Sequence, residues 1–556
     1  MGVCEELTGE SGEGMRWVGE NEKENDYQNE GRRWKGTFDA GPRQSENSIT
    51  PMKTSISRLA RFGLAFSMVA ALATTTHAAF GGWKDLFDGK TLAGWRASEH
   101  PEAFKVAEGA IVADGDRAHL FYVGEDGKAE FENFELEVEV KTMAHANSGV
   151  FFHTAWQDEG WPAAGFEVQV NNSQKPFEVG QATGNNAYRE NKKTGSLYGV
   201  RNVYRAMARD GEWFTMKIKV QRPRVQTWVN DVLVTDYIEP ANELPEKAPA
   251  LNRLGKGTFA LQCHDPHSKV FYRKVRVKKL PDGVAKDVKQ PEWNEQDVRL
   301  YAMGKENVPI VDLHTHLKGD LTLEKALAVS RATGMGLGIA TNGGQGFPIQ
   351  NDAAALAFLE TMKGQPVFLA LQAEGREWMK MFTPEAYSKF DYIFTDAMTW
   401  TNKAGKRLRL WIPEESEIGD DPEAFMEELV EQTVKIIETE PIDIYVNPLF
   451  LPDSLAAKAK ELWTIQRMQR IVAALAKHRV AVEINARYKI PSEEFVRLAK
   501  SAGVKFTIGT NNTMASDWGN WAYPVEIAKK TGLEWRDFWV PGHEASRAQR
   551  LVAEKK

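Results

Sequence analysis

Short runs of alternating apolar and polar residues fill the first half of the chain. Residues 134–141 and 214–221 each alternate over eight positions, and the turn-forming pair Asn230-Asp231 separates two further runs. Alternation with a period of two is typical of half-buried strands, and a two-residue connection of this kind indicates a hairpin. Many short strands broken by Gly, Asn and Asp turns therefore predict an antiparallel, all-β sandwich of the jelly-roll kind over residues 79–281.

The period changes at residue 308, where short apolar runs begin to alternate with stretches of helical periodicity. Seven successive strand–helix units predict an α/β barrel of the seven-stranded, TIM-like type over residues 308–556. An open doubly wound sheet remains the alternative, although the segment contains no glycine-rich dinucleotide loop. The polar stretch 282–307 has little periodicity and is interpreted as a linker. The seven apolar runs are 308–312, 336–340, 366–371, 391–394, 442–446, 480–484 and 504–508.

The N-terminal region contains two segments of different character. Residues 1–51 are rich in Gly, Glu and Asn, and we interpret them as an extension that is either disordered or not translated. Residues 52–78 carry Lys and Arg, then a twelve-residue apolar run and small residues, as a secretory signal peptide does. A membrane anchor or a buried helix is the alternative. We therefore expect translation from Met52, cleavage after Ala78, and a mature protein that is exported to the periplasm or the medium without stable membrane insertion.

Composition and charge exclude several classes of function. The 556 residues are 42% hydrophobic and 26% charged, with a net charge of -7 and no dense run of Lys or Arg. Such a chain is typical of globular domains, and nucleic acid is not an expected partner. The two cysteines, Cys4 and Cys263, provide neither a disulfide framework nor a cysteine-based zinc site.

Polar side chains follow each predicted strand of the barrel, at the edge where parallel barrels build their active sites. His314 and His316 stand two residues apart at the end of the first strand, so both point to one side and are able to clamp a divalent ion. Glu374 and Asp396 add carboxylate ligands, and Asp312 orients an imidazole. The pattern predicts a zinc, manganese or iron site, with two hydrogen-bonded histidines as the alternative.

The stretch 312–316 resembles the D-x-H-x-H motif that opens the PHP family of metal-dependent hydrolases. The resemblance implies a distorted seven-stranded barrel with one to three divalent ions, and Glu374 stands where an acidic ligand is expected. Asn447 stands where the family usually has a histidine, and 510–512 is Thr-Asn-Asn where Asp and His are usual. We therefore expect one metal ion or none, and a hydrolytic or metal-assisted step in the barrel.

A set of seven short stretches runs in order through the sandwich segment: 86–95, 147–153, 165–170, 194–199, 211–213, 228–231 and 261–265. Together they resemble the 3-keto-disaccharide hydrolase domain family and cover nearly the whole segment. The resemblance implies a concanavalin-A-like sandwich in an exported bacterial protein, and a substrate that is a glycoside oxidised at C3.

The chemistry of such a substrate defines what the site must contain. A ketone at C3 acidifies the proton at C2, so a base removes that proton, the glycosidic oxygen leaves C1, and water then adds to the enone. This route needs a general base, an acid for the leaving oxygen and a group that stabilises the enolate. Two polar residues on one strand face, two histidines, a tyrosine and an arginine supply those types. These catalytic candidates are Glu167, Gln169, His153, His264, Tyr198 and Arg201.

A non-catalytic sandwich is the second hypothesis. Sandwich sheets often bind glycans on aromatic platforms, and Trp156, Trp161 and Tyr188 are candidates for stacking. The sandwich would then be a carbohydrate-binding module that presents a polymer to a metal-dependent barrel hydrolase. We interpret His119 as a solvated side chain. Both hypotheses predict an exported hydrolase whose partner is a carbohydrate or an oxidised glycoside.

Overall fold

The computed structural model describes residues 82–173, 189–249, 251–416 and 418–554. They fall within one unit of the chain, His77–Lys556. The predicted N-terminal extension and signal peptide lie outside the described residues, so export stays a prediction. No helix in the described part of the chain is both long enough and apolar enough to cross a bilayer.

Two antiparallel sheets form the N-terminal part of the described chain. The first has the strand order β11-β10-β9-β6-β13-β4-β3, with β1 beside β13, and the second has the order β2-β5-β12-β7-β8. These strands are β1 (Lys84–Asp85), β2 (Trp95–Ala97), β3 (Phe104–Ala107), β4 (Ala110–Ala113), β5 (Ala118–Tyr122), β6 (Phe134–Thr142), β7 (Ser148–Thr154), β8 (Phe166–Val170), β9 (Phe214–Gln221), β10 (Arg224–Val229), β11 (Val232–Ile238), β12 (Thr258–Cys263) and β13 (Val270–Lys279).

The sandwich core lies between these sheets because each strand places every second side chain inward. Val138 of β6 and Ile218 of β9 face inward from the first sheet, and Val150, Val168 and Leu261 belong to the same core in the second. Full burial of an aliphatic side chain of this size contributes about 1.5–3 kcal/mol. The predicted antiparallel sandwich is confirmed.

Seven parallel strands close into a barrel in the order β14-β15-β16-β17-β20-β21-β22, and β18 pairs with β19 in a separate hairpin. The strands are β14 (Val311–Thr315), β15 (Gly336–Gly343), β16 (Phe368–Ala373), β17 (Tyr392–Thr395), β18 (Thr399–Thr401), β19 (Arg407–Arg409), β20 (Ile444–Tyr445), β21 (Ala481–Asn485) and β22 (Phe506–Gly509). The helices are α1 (Glu295–Lys305), α2 (Leu323–Thr333), α3 (Asp352–Thr361), α4 (Trp378–Met381), α5 (Pro384–Tyr387), α6 (Pro422–Thr439), α7 (Asp453–Ala456), α8 (Ala459–Leu462), α9 (Ile465–His478), α10 (Glu493–Ser501), α11 (Ala522–Thr531) and α12 (Arg547–Glu554).

Closure of this sheet confirms the predicted barrel and excludes the open doubly wound sheet. The first strand pairs with the last, with Asp312 beside Ile508. Each of the seven predicted apolar runs overlaps one barrel strand. The carboxyl ends of all seven strands therefore meet at one edge, as the sequence predicts.

Helix α1 lies inside the segment predicted as a linker, where the weak periodicity did not indicate a helix. Asn294 caps its first turn by accepting a hydrogen bond from the Asp297 N–H. Leu300 packs into the barrel core, and the adjacent Tyr301 packs into the sandwich core. The helix is therefore held from both sides, which explains why its apolar residues do not form a single stripe.

Helix α2 of the barrel packs against β11 of the sandwich. The helix ends at Gly334, which adopts the left-handed conformation with φ +76°. A Cβ on Gly334 would lie 2.8 Å from the Asn202 nitrogen and 2.9 Å from the Arg201 Cα. Glycine is required here both for its backbone conformation and for the close approach.

We predict that Gly334→Ala lowers the free energy of unfolding by about 2–4 kcal/mol, since about 1 kcal/mol comes from the left-handed backbone and the remainder from the clash. Gly346→Ala is the matched control, because Gly346 has φ +83° with nothing within 4 Å of its would-be Cβ. Urea unfolding of both variants measures the difference. Equal losses in the two variants would contradict the close contact.

Candidate active site

The second sheet of the sandwich has an outer face, opposite the core, that carries most of the predicted catalytic residues. Val168 of β8 points into the core, so its neighbours Glu167 and Gln169 point to the outer face. Gly149 lies on the neighbouring strand β7, where a Cβ would fall 2.8 Å from the Glu167 Cδ. The absence of a side chain at Gly149 lets Glu167 lie across the sheet. We call this surface the Glu167 face.

Glu167 is partly exposed and has an unusual protonation equilibrium. Burial, and after it the negative charge of Glu190, raises the pKa of Glu167 to about 8. The positive charges of Lys192 and Lys305 and a hydrogen bond from Gln262 oppose that shift. A carboxylate with a pKa near neutrality is suited to general base catalysis, because it accepts a proton readily once ionised.

A buried ion pair borders Glu167 on one side. The Lys192 Nζ lies 3.2 Å from the Glu190 Oε1. Both side chains are buried, with exposed fractions of 1% for Lys192 and 2% for Glu190. The Tyr198 hydroxyl donates to the Glu190 Oε2 at 2.8 Å, and the Tyr198 N–H donates to the Glu167 carbonyl at 2.9 Å. The structure thus brings the predicted Tyr198 next to Glu167 and adds two residues that the sequence analysis did not identify.

His119 and Gln262 form the floor of the Glu167 face on its other side. Gln262 of β12 pairs with His119 of β5, and their Nε2 atoms are 3.5 Å apart. Burial lowers the pKa of His119 to about 4, so the imidazole is neutral at pH 7. The interpretation of His119 as a solvated side chain is wrong, since its exposed fraction is 0%. The signal was its position in 118–122, where apolar residues surround a single histidine.

An aromatic platform stands above this floor. Trp161 is 48% exposed, and its ring lies 5.7 Å from the His119 ring and 5.3 Å from the His264 ring. Trp156 stacks under the Arg96 guanidinium at 3.3 Å. The exposed Trp161 ring is suited to stacking on the apolar face of a sugar, whereas the face of Trp156 is covered by Arg96. Tyr188, the third predicted stacking residue, lies outside the described residues.

His264 and Gln169 lie at the edges of the Glu167 face. The His264 Nδ1 is 2.7 Å from the Asp265 Oδ2, and the His264 side chain is partly exposed. Burial opposes the ionisation of Asp265, but hydrogen bonds from His264 and the backbone hold the pKa of Asp265 below its usual value. Gln169 is buried, and its side-chain oxygen accepts from the Val170 N–H at 3.2 Å.

The structure does not bring His153 to this face. A positive φ of 55° turns the ring toward the core, where it packs against Phe134 and Phe152. Its Nε2 lies 2.8 Å from the Glu132 carbonyl oxygen, and its Nδ1 lies 3.3 Å from the Gly255 nitrogen. Both ring nitrogens are engaged by the backbone, so His153 fixes the loops instead of facing a substrate.

Arg201 also lies away from Glu167, contrary to its predicted role as charge stabiliser. Its guanidinium donates to the carbonyls of Val200 and Ala332, the latter at the end of α2. The same group lies 5.1 Å from the Tyr237 ring and 5.4 Å from the Trp293 ring. Arg201 therefore joins the sandwich to the barrel.

The barrel presents its own polar cluster at the carboxyl edge of the strands. The His314 Nδ1 lies 2.7 Å from the Glu483 Oε1, and the rings of His314 and His316 are 5.2 Å apart. Burial lowers the pKa of His316 well below its ordinary value. Asp312 does not orient the imidazole as predicted, because it accepts from the Thr510 backbone and hydroxyl and from the His314 N–H.

The predicted acidic ligands of the barrel are hydrogen-bonded by amides. The Glu374 Oε1 accepts from Asn342 at 2.8 Å and from Gln372 at 2.9 Å. The Asp396 Oδ2 accepts from Asn447 at 2.7 Å. Burial, then the neighbouring Asp396 charge, raises the pKa of Glu374 to about 8, and burial raises that of Asp396. Both acids favour the protonated form at neutral pH more than ordinary carboxyls do.

The donors of this cluster do not form a complete set of metal ligands. Throughout the described ranges, no three His, Cys, Asp or Glu side chains are grouped closely enough to hold one. The side-chain amides that donate hydrogen bonds to Glu374 and Asp396 are poor ligands for transition metals. The metal site therefore remains a prediction, and the proposed reaction does not depend on it.

Metal analysis of the purified protein tests the predicted site. About one equivalent of bound metal, lost in His314→Ala/His316→Ala, would support the site, and no bound metal would contradict it.

These observations define a protein in which an antiparallel sandwich is followed by a parallel barrel. The sandwich carries an acidic residue and an aromatic platform on one face. Residues 82–278 match the family model described as a 3-keto-alpha-glucoside-1,2-lyase-like domain. The chain is 27% identical over 237 residues to a 3-keto-disaccharide hydrolase of Bacteroides thetaiotaomicron, with 36% of this chain and 79% of that protein covered.

Two solved structures resemble separate parts of the chain. A Parabacteroides distasonis protein assigned as a glycosyl hydrolase is 23% identical, with a TM-score of 0.30, and covers 36% of this chain and 94% of its own. A histidinol phosphate phosphatase from Lactococcus lactis is 14% identical, with a TM-score of 0.32, and covers 44% of this chain and 98% of its own. Neither likeness bears on activity.

We predict that Glu483→Ala lowers the free energy of unfolding by about 2–5 kcal/mol, because it leaves buried donors without an acceptor. The Glu483 Oε2 accepts from the Asn447 N–H at 2.8 Å and from the Asn485 amide at 2.9 Å. The exposed Glu461→Ala is the control, with an expected change below about 0.5 kcal/mol. A loss in Glu483→Ala no larger than that of the control in urea unfolding would contradict the network.

Proposed function

We propose that the protein is a hydrolase that cleaves glycosides oxidised at C3, and that Glu167 is the base. The observation that carries the proposal is a partly buried carboxyl group with a pKa near 8, on a sheet face that also carries an exposed tryptophan. The Tyr198 N–H is bonded to the Glu167 carbonyl, and the Tyr198 hydroxyl donates to the neighbouring Glu190. The match of residues 82–278 to a 3-keto-glucoside lyase-like family supports the substrate class, as does similarity to a 3-keto-disaccharide hydrolase.

The first step is removal of the C2 proton by the ionised Glu167 carboxylate. The C2–H electrons form the C1–C2 double bond as the C1–O bond breaks, so the glycosidic oxygen leaves and an enone remains. The Tyr198 hydroxyl, which otherwise donates to Glu190, protonates the leaving oxygen and is left as a phenolate.

Hydration of the enone completes net hydrolysis. Water adds its oxygen at C1 and gives one proton to the Tyr198 phenolate. C2 receives a proton from the Glu167 carboxyl group, which exchanges with solvent once the leaving sugar has departed. Glu167 thereby returns to its ionised form. Trp161 contributes a stacking surface for the sugar ring, so that the C2 proton is presented to Glu167.

We predict that Glu167→Gln lowers kcat/KM on a 3-keto disaccharide by about 10²–10⁴-fold, the usual contribution of a general base. Substrate binding, measured by calorimetry, is expected to persist because Gln keeps the shape of the side chain. The exposed Glu243→Gln is the control for folding and charge. If Glu167→Gln retains full turnover while His314→Ala loses it, the sandwich is a binding module and the barrel is the catalyst.

We predict that the reaction in D₂O gives a 3-keto sugar with one deuterium at C2, because the elimination route replaces that hydrogen with one from solvent. Mass spectrometry and proton NMR of the product detect the label. Incubation of the product alone under the same conditions controls for uncatalysed exchange. A product that keeps its original C2 hydrogen would support direct hydrolysis and contradict the elimination route.

A further inference from the structure

The end of the linker contacts the loop that supports the Glu167 face. Asn307 follows α1, and its side-chain oxygen accepts from the buried Lys192 Nζ at 3.0 Å and from the Asn191 N–H at 3.3 Å. Its amide group donates to the Arg189 carbonyl at 2.6 Å. Three hydrogen bonds thus fix the end of α1 against the Lys192–Glu190 ion pair.

Lys305, the last residue of α1, extends along the site from this anchored position. Its stem passes over Gly199, where a Cβ would lie 2.9 Å from the Lys305 Cδ. Gly199 follows Tyr198, whose N–H is bonded to the Glu167 carbonyl. The Lys305 side chain is solvent-accessible, and its Nζ lies 5.9 Å from the centre of the Tyr301 ring, without an ion pair to any residue in the described part of the chain. It is therefore an uncompensated cation next to the site.

Two charges on the sandwich side act on Glu167 in opposite directions. Lys192 and Glu190 are paired at 3.2 Å, so at a distance they act as a dipole and not as a net charge. Gln262 adds one hydrogen bond without charge. Lys305 is then the cation whose field on Glu167 is not offset by a partner.

We propose that Lys305 is a positioning residue of the sandwich's active site: from the linker helix, it holds Glu167 in the ionised form that removes the substrate proton. The matched family segment ends at residue 278, so this contribution comes from outside it. The inference rests on the proposed role of Glu167 as base. Consistent with it, the Lys305 charge acts to lower the pKa of Glu167 against the effect of burial.

The test compares full-length wild type with Lys305→Met and with Lys286→Met, an exposed linker lysine that serves as control. On a 3-keto disaccharide, kcat/KM of the wild type is expected to rise with pH and level off above the pKa of Glu167. In Lys305→Met the inflection moves up by about 0.5–1 pH unit, because a nearby cation favours the carboxylate. Activity at pH 7 falls about 3–10-fold and approaches the wild-type plateau at high pH.

An unshifted inflection in Lys305→Met would overturn the inference, and so would an equal loss of activity at every pH, which indicates a structural role. A wild type with no activity on the 3-keto disaccharide would overturn the proposed function instead.

If the wild type is inactive on the 3-keto disaccharide, thermal unfolding between pH 5 and 10 tests the effect of Lys305 on Glu167. When the pKa of a carboxyl group is higher in the folded protein than in the unfolded chain, the folded protein loses stability as the pH rises from the unfolded-state pKa to the folded-state pKa. Compared with the wild type, Lys305→Met is expected to go on losing stability up to a higher pH. This difference is expected to disappear when Glu167→Gln is also present. The same pH dependence with and without Lys305 would contradict the inference.

Discussion

Burial of helix α1 on two sides is the interaction on which the arrangement of this molecule depends. Leu300 belongs to the barrel core and the adjacent Tyr301 to the sandwich core, so neither core is complete without the helix. The Arg201 guanidinium and the turn at Gly334 extend the same contact along α2. The two folds therefore share packed side chains, which leaves the segment between them little freedom to act as a hinge.

Both polar clusters contain buried acids, whose ionisation is opposed by burial. Burial favours the neutral carboxyl, and each cluster offsets that tendency differently. Near Glu167, Lys192 and Lys305 supply positive charge that opposes burial and the negative charge of Glu190. Around Glu374 and Asp396, amides donate hydrogen bonds without adding charge. The first arrangement leaves a proton acceptor tuned near neutrality, whereas the second keeps two weak acids in a neutral network.

The sequence predicted the two folds well because hydrophobic periodicity depends on local burial, and each of the seven barrel runs became a strand. It located Glu167 and Tyr198 but misplaced His153, because a single positive φ reverses the face on which a side chain lies. His119 and Glu190 were missed, since their roles depend on cross-strand and loop contacts that no spacing reveals. Charges that meet only after folding cannot be read from neighbouring positions.

The anchoring of α1 has a consequence for how such chains are assembled by gene rearrangement. A recombination point placed where the barrel's first strand begins would leave Lys305 and Asn307 with the sandwich but remove the barrel residues that pack on Leu300. A point placed after β13 would instead give the helix to the barrel and strip the sandwich of Tyr301. Recombination would therefore have to transfer the sandwich and the barrel together, because neither fold is complete without the other.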